Sequence, residues 1–321
     1  MIVGGFAGAS DTGRKRRRNE DAYVVAPPLF AVADGMGGAQ AGEVASRLAK
    51  AALEDTDSGA LSGSARVTSL IQEANRRVYE RSNADPSASG MGTTMTVALV
   101  EGGIVTFGHV GDSRAYLLRD GRLEQLTEDH SLVNELLKSG KLSPEEAETH
   151  PQRSVITRAV GTDPDVDVES FTVDAHEGDV FLICSDGLTD MVADEDIFDL
   201  LERNQKDLDR ATKALVSAAN RGGGVDNITV VAFAIAADGG EPAKAGADDD
   251  TLDGLKPTET VDTMVIPPGD VEGALLEPGS PEAAAAVLRE PISPAARVRL
   301  VLAMLALLAI AAVLLVWGLL R

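Results

Sequence analysis

Aromatic side chains make up only 3% of this 321-residue chain. Its core must therefore be built from Val, Leu, Ile and Ala, because the large rings that dominate most interiors are scarce. There is one cysteine, Cys184, inside an apolar run. That excludes a disulfide framework and a cysteine-rich zinc site, and it fits a reducing compartment. Positive charge is also short: 29 Lys and Arg stand against 51 Asp and Glu, a formal net charge of −22. Nucleic acid is accordingly not expected as a partner. Met1 to Ser10 lacks the basic start and long apolar core of a secretory leader.

The chain does carry a long apolar run at its other end. Leu300 to Leu320 holds no charge and is almost wholly Leu, Ala and Val. It matches the roughly 20 residues that span a bilayer as a helix. Trp317 sits where an interfacial aromatic would lie. We expect residues 297–321 to be a C-terminal transmembrane helix. Arg297 and Arg299 precede the span and only Arg321 follows, a bias that leaves the N-terminal part in the cytoplasm of a cell-membrane protein. Residues 237–296 hold 13 acidic against 3 basic residues and eight prolines, with no aromatics. Such a segment buries too little to offset its ordering entropy, so it is expected to be a disordered linker.

Residues 1–236 read as one folded domain. Leu29 to Ala33 is an apolar run long enough for a buried strand. After Gly42, Val44, Ala45, Leu48 and Ala52 recur at helical spacing, and Val67, Leu70, Ile71, Ala74 and Val78 mark a second helix. The period then changes. Thr94–Val100 and Ile104–Val110 read as strands joined at Glu101-Gly102-Gly103. Arg114–Arg119 and Arg122–Leu126 flank Asp120-Gly121, a strong hairpin signal. Residues 128–156 are polar with little strand pattern and are expected to form a helical flap. Val180–Cys184 and Ile228–Ile235 are apolar strands. Ile197–Leu201 and Leu208–Ala219 have helical periodicity, with Gly222 as a stop. Strands in hairpins and helices in groups give an α+β class.

The informative residues are acids at strand ends. Asp34 follows Leu29–Ala33 and precedes Gly35. Asp112 follows Ile104–Val110. Asp186 follows Val180–Cys184. Asp226 precedes Ile228–Ile235, and Glu20-Asp21 leads into Ala22–Val25. Each alone is an ordinary turn or cap residue. Several in one context are costly together, because clustered carboxylates repel one another. A divalent cation relieves that cost, and an oxygen-only ligand set selects hard ions such as Mg²⁺ or Mn²⁺.

The segments Arg16-Arg17-Arg18-Asn19-Glu20-Asp21, Ala33-Asp34-Gly35-Met36-Gly37-Gly38, Gly90-Met91-Gly92-Thr93-Thr94, Gly111-Asp112-Ser113-Arg114, Ser185-Asp186-Gly187-Leu188 and Asp226-Asn227-Ile228-Thr229 resemble, in order and spacing, the motifs of the bacterial protein phosphatase 2C (PPM) family. The resemblance covers about residues 6 to 236. It implies a four-layer αββα sandwich of two antiparallel sheets flanked by helices. It also implies a serine/threonine phosphatase using two, possibly three, Mn²⁺ or Mg²⁺ ions to activate water. By this resemblance Asp34 bridges two metals, Gly35 offers its carbonyl to one, and Asp186 and Asp226 complete the first shell. Glu20 and Asp21 match the pair serving the second metal, and Asp112 with Asp186 the third. Arg16 matches the phosphate-binding arginine. Met36 stands where animal members have a histidine, so this position supplies no proton. His109 and His130 are read as structural support, and His150 and His176 have no context.

The resemblance implies phosphorylated proteins as substrates and a membrane serine/threonine kinase as the opposing activity. The alternatives are a phosphatase for one narrow phosphoprotein target, or a phospho-binding scaffold without turnover. The intact set Asp34, Asp186 and Asp226 argues against the scaffold.

Overall fold

The computed structural model describes residues 1–37, 41–55, 61–148 and 150–237. The expected apolar span and the linker beyond Ala237 lie outside the described residues. Among the described residues no helix is long and apolar enough to cross a membrane.

The apolar run at Leu29 becomes strand β3 (Leu29–Met36). Side chains alternate between the faces of a strand, and here both faces are buried. Phe30 and Val32 enter the space between two sheets, while Leu29, Ala31 and Ala33 meet helices. That is why the run is continuously apolar rather than alternating. β3 pairs with β2 (Asp21–Ala26) and with β5 (Met95–Glu101), and the sheet continues through β6 (Ile104–Val110) to β9 (Glu169–Asp174). A short strand β4 (Gly92–Thr93) pairs with the end of β3. The second sheet runs β1 (Ile2–Asp11), β11 (Ile228–Ala236), β10 (Val180–Cys184), β7 (Arg114–Arg119), β8 (Arg122–Gln125). Every neighbouring pair is antiparallel.

Helices α1 (Ala41–Asp55) and α2 (Gly63–Ala84) cover the first sheet, and α6 (Asp194–Asn204) and α7 (Leu208–Gly222) cover the second. The αββα order is thus present. The few aromatics are spent where the sheets meet: Phe233 stacks on Phe30 at 4.3 Å and on Phe181 at 5.1 Å between ring centroids. Truncating Phe233 to Ala would cost about 3–5 kcal/mol through lost contact and the cavity left behind.

Three differences from the sequence reading stand out. β1 and β9 carry no strong strand signal. β1 contains Gly4, Gly5 and Gly8, and a Cβ at Gly8 would stand 2.7 Å from the Tyr23 ring. Close packing across the strands selects the glycine that weakens the pattern. α7 takes in Gly222, the expected stop, as its last residue, because Gly223, at φ +141°, forms the cap. The flap contains two short helices, α3 (Leu132–Lys138) and α4 (Pro144–Glu148), joined to loops on both sides.

Antiparallel pairing decides where the acids go. β3 and β6 end, and β2 and β5 begin, on one edge of the first sheet. β10 ends, and β7 and β11 begin, on one edge of the second. Strand-end residues far apart in sequence therefore share an edge.

Candidate active site

A cavity of about 470 Å³ opens at that edge. Glu20, Asp34, Gly35, Asp112, Asp186 and Asp226 line it, with Arg16 at its rim. Asp21 stands behind them, paired in register with Asp34 across β2 and β3. All eight residues singled out from the sequence are thus brought to one place. Gly35 near the end of β3 and Gly42 in the first turn of α1 approach closely. A Cβ on Gly35 would lie 2.1 Å from the carbonyl oxygen of Gly42, and one on Gly42 would lie 2.8 Å from Glu20 Oε2. α5 (Asp186–Thr189) begins with Asp186 itself.

The electrostatics are those of an uncompensated site. Burial pushes the Asp34 carboxyl well above the ordinary range, and the charges of Asp21, Asp186, Asp112 and Asp226 push it further. Asp186 is raised to about 8 by burial and then by Asp112, Asp226, Asp190 and Asp21. Asp21 is raised to about 6, mainly by burial, against the opposing effect of hydrogen bonds from Thr229 and Ser185. Asp112 is raised to about 6 by burial and by Asp129. Two carboxylate oxygens, Asp21 Oδ1 and Asp186 Oδ1, are shut away from solvent without a hydrogen-bond partner. Buried polar oxygens are normally satisfied, so these two ask for a ligand. Among the described residues no three His, Cys, Asp or Glu side chains stand grouped as they would to hold a metal ion. The acids share the cavity at a distance, as like charges do. Oxygen donors with orphaned lone pairs fit hard divalent cations.

Among the described residues, Arg16 makes the one ion pair that reaches into this set. Its Nη2 lies 2.6 Å from Asp226 Oδ2, while its side chain stays 53% exposed. The guanidinium therefore sits between a site acid and solvent.

Several supporting residues were given no role of their own in the sequence reading. Thr94 Oγ1 accepts the Asp34 N–H (3.0 Å), and the Asp34 carbonyl accepts from Thr93 Oγ1 (2.8 Å). Ser185 Oγ donates to Asp21 Oδ2 (2.9 Å). Asn227 accepts from the Glu20 N–H and donates to the carbonyls of Thr12 and Arg18, tying down the arginine-rich loop. Ser185 and Asn227 adjoin predicted acids, and all four of Thr93, Thr94, Ser185 and Asn227 stand in the motifs quoted from the sequence. Arg153 and Ser154 of the flap also line the cavity, and Arg153 Nη2 reaches Asp190 Oδ2 at 3.3 Å. Nothing in their own sequence points there.

None of the four histidines lines the cavity, and Met36 does. His109 is buried and neutral, its pKa lowered to about 3 by burial, with Nδ1 at 2.9 Å from Thr96 Oγ1 and Nε2 at 3.1 Å from the Glu128 carbonyl. Cys184 is fully buried, with its thiol pushed up to about 12 by burial, and is inert.

Known proteins are similar to this chain in sequence and fold. Residues 12–219 match the family model described as protein phosphatase 2C. The serine/threonine protein phosphatase PstP of Mycobacterium tuberculosis is 42% identical over 255 residues, covering 77% of this chain and 49% of that protein. The chain thus spans about half the length of that relative. The serine/threonine phosphatase stp of Listeria welshimeri is 40% identical over 69% of this chain and 92% of its own length. A crystal structure of M. tuberculosis PstP superposes with a TM-score of 0.70 at 41% identity, covering 74% of this chain and all of the solved one. A structure of the PstP catalytic domain in complex with two manganese ions superposes with a TM-score of 0.68 at 38% identity over the same share. This chain belongs to the protein phosphatase 2C family.

Proposed function

We propose that this protein is a metal-dependent phosphatase that hydrolyses phosphoserine and phosphothreonine on proteins. The observation that carries this reading is the convergence of Glu20, Asp21, Asp34, Asp112, Asp186 and Asp226 on one cavity with orphaned carboxylate oxygens, next to an exposed arginine. The names and the manganese-bound structure of the relatives support it.

In this reading Asp34, with the Gly35 carbonyl, Asp186 and Asp226, holds one cation, and Glu20 and Asp21 serve a second. Asp112 and Asp186 hold a third where it binds. Bound there, Mn²⁺ or Mg²⁺ supplies Lewis-acid activation of water and offsets phosphate charge. The chain's own contribution is to position. Asp34 stays fixed because Thr93 and Thr94 bond its backbone on both sides. Arg16, exposed beside Asp226, would offer its donors to the phosphate oxygens. Met36 and Met191 give the wall apolar surface without a titratable group. The leaving-group proton does not come from a histidine of this wall. Hydrolysis of para-nitrophenyl phosphate by the full chain with Mn²⁺ or Mg²⁺ tests the reading, and absence of turnover with either ion contradicts it.

We also propose that residues 300–320 anchor the chain in the cell membrane, with residues 1–236 cytoplasmic and joined to the anchor by the linker 237–296. The charge-free run of 21 residues supports this. There it would oppose a membrane serine/threonine kinase. A full chain that fractionates with soluble protein would contradict the anchor.

A further inference from the structure

Between the flap and the carboxylate cavity lies a polar cluster that the proposed chemistry does not use. Its centre is His130. The His130 N–H donates to the Gly111 carbonyl (2.8 Å), and the Gly111 N–H donates to His130 Nδ1 (3.1 Å). One residue thus binds both polar groups of Gly111, whose neighbour is Asp112. That turn is conformationally demanding. Gly111 has φ +112°, and a Cβ there would stand 2.6 Å from Thr94 Cβ. Outside bonds are what hold it.

The same residue ties the flap. The His130 carbonyl accepts the Thr157 N–H (2.8 Å), and next to it Ser131 pairs with Ile156 and the Leu132 N–H donates to the Val155 carbonyl (2.9 Å). Residue 130 therefore contacts the start of the flap, its end and the Asp112 turn. The ring chemistry is also determined. Because Nδ1 accepts from Gly111, a neutral ring carries its proton on Nε2. Nε2 lies 3.1 Å from Glu169 Oε2 on β9, so Nε2–H donates to that carboxylate. Arg158 Nη1 donates to the Asp167 carbonyl at 3.1 Å and also stands 3.3 Å from Nε2, which cannot accept from it while it carries the ring proton. The neutral His109 ring packs against the other side at 4.7 Å between centroids. Burial lowers the pKa of His130, which keeps the ring neutral.

We propose that His130 is a positioning residue: as the Nε2–H tautomer held by Glu169, it clamps the Gly111–Asp112 turn to both ends of the flap and so sets the place of Asp112 in the cavity. Its effect on cation binding rests on the reading of Asp112 as a ligand. The clamp itself does not.

The isosteres separate the two ring nitrogens. Asn at 130 keeps an oxygen acceptor near Nδ1, whereas Gln places its amide near Nε2 and leaves the Gly111 N–H without an acceptor. In the wild-type full chain, ring ¹⁵N NMR at pH 7.5 should show the Nε2–H tautomer, and the Gly111 amide should exchange slowly. His130→Gln should weaken Mn²⁺ binding by about tenfold and speed exchange at Gly111 and in residues 132–138, while His130→Asn stays within about threefold of wild type. An Nδ1–H tautomer or an imidazolium in the wild type overturns the clamp, and needs no variant that folds. Equal behaviour of Asn and Gln, or a lower melting temperature with Mn²⁺ binding and Gly111 exchange unchanged, overturns it too. If the wild type binds no Mn²⁺, the phosphatase reading fails, and the tautomer and exchange still decide the clamp.

Discussion

Two buried polar clusters lie a few residues apart in this molecule, and their electrostatics are opposite. Around His109, Thr96, Ser113 and His130 the groups are neutral or paired, and the side chains find hydrogen-bond partners. Around Asp34 carboxylates face carboxylates, their pKa values are driven up, and two oxygens have no partner. Burial alone does not distinguish them. What does is whether the protein satisfies its own groups: a satisfied cluster fixes geometry, and an unsatisfied one is completed from outside. The satisfied cluster abuts the unsatisfied one through the Gly111–Asp112 turn.

The contrast yields predictions in decreasing order of effect. Asp34→Asn should reduce turnover of para-nitrophenyl phosphate by about 10²–10³-fold, the scale for losing one preorganised electrostatic group. In chelator the same variant should melt above wild type, because a repelling charge has gone. A lower melting temperature there would show the site acids to be compensated after all. Arg16→Lys should lower kcat/KM by about 10-fold, since a point charge replaces the planar fork. Retention of wild-type kcat/KM would remove Arg16 from the phosphate site.

His109→Phe tests the other cluster. It takes the ring partner from the Glu128 carbonyl and leaves Thr96 Oγ1 only its bond to the Ser113 carbonyl, so stability should fall by about 1–3 kcal/mol in denaturant unfolding. Turnover at saturating Mn²⁺ should stay within about threefold, as expected of a change away from the reacting groups. A loss as large as that of Asp34→Asn would erase the distinction between the clusters.

The smallest effect is on pH. The folded-state values of Asp21, Asp112 and Asp186, about 6, 6 and 8, lie above those of the unfolded chain. The folded protein therefore binds more protons than the unfolded one, and stability without cations falls as pH rises through this window. The melting temperature in chelator should drop by a few degrees between pH 5.5 and 8.5. Mn²⁺ should remove most of that slope, and a slope of the opposite sign would contradict it.

Sequence made the acids legible because each stands beside its own strand. Asp34, Asp112, Asp186 and Asp226 are local events: apolar run, then acid, or the reverse. Antiparallel topology gathers them, and hairpin signals such as Asp120-Gly121 already implied that topology. Asp120 and Gly121 indeed take φ of +50° and +69°. Residues that reach the cavity from elsewhere were hidden. Arg153 and Ser154 come in on the flap, whose sequence has no period that encodes its docking. β9, with its outward side chains exposed on the sheet edge, is too short and polar to announce itself. His130 looked like any polar loop histidine, since its partners Gly111, Thr157 and Glu169 are assembled only by the fold.

The central claim is that the carboxylate cavity is completed by cations. Calorimetric titration of the full chain with Mn²⁺ at pH 7.5 tests it most directly, with Asp34→Asn alongside. The account predicts at least two bound ions per wild-type chain and the loss of at least one in the variant. Absence of binding to the wild type, or an unchanged isotherm in Asp34→Asn, would contradict it.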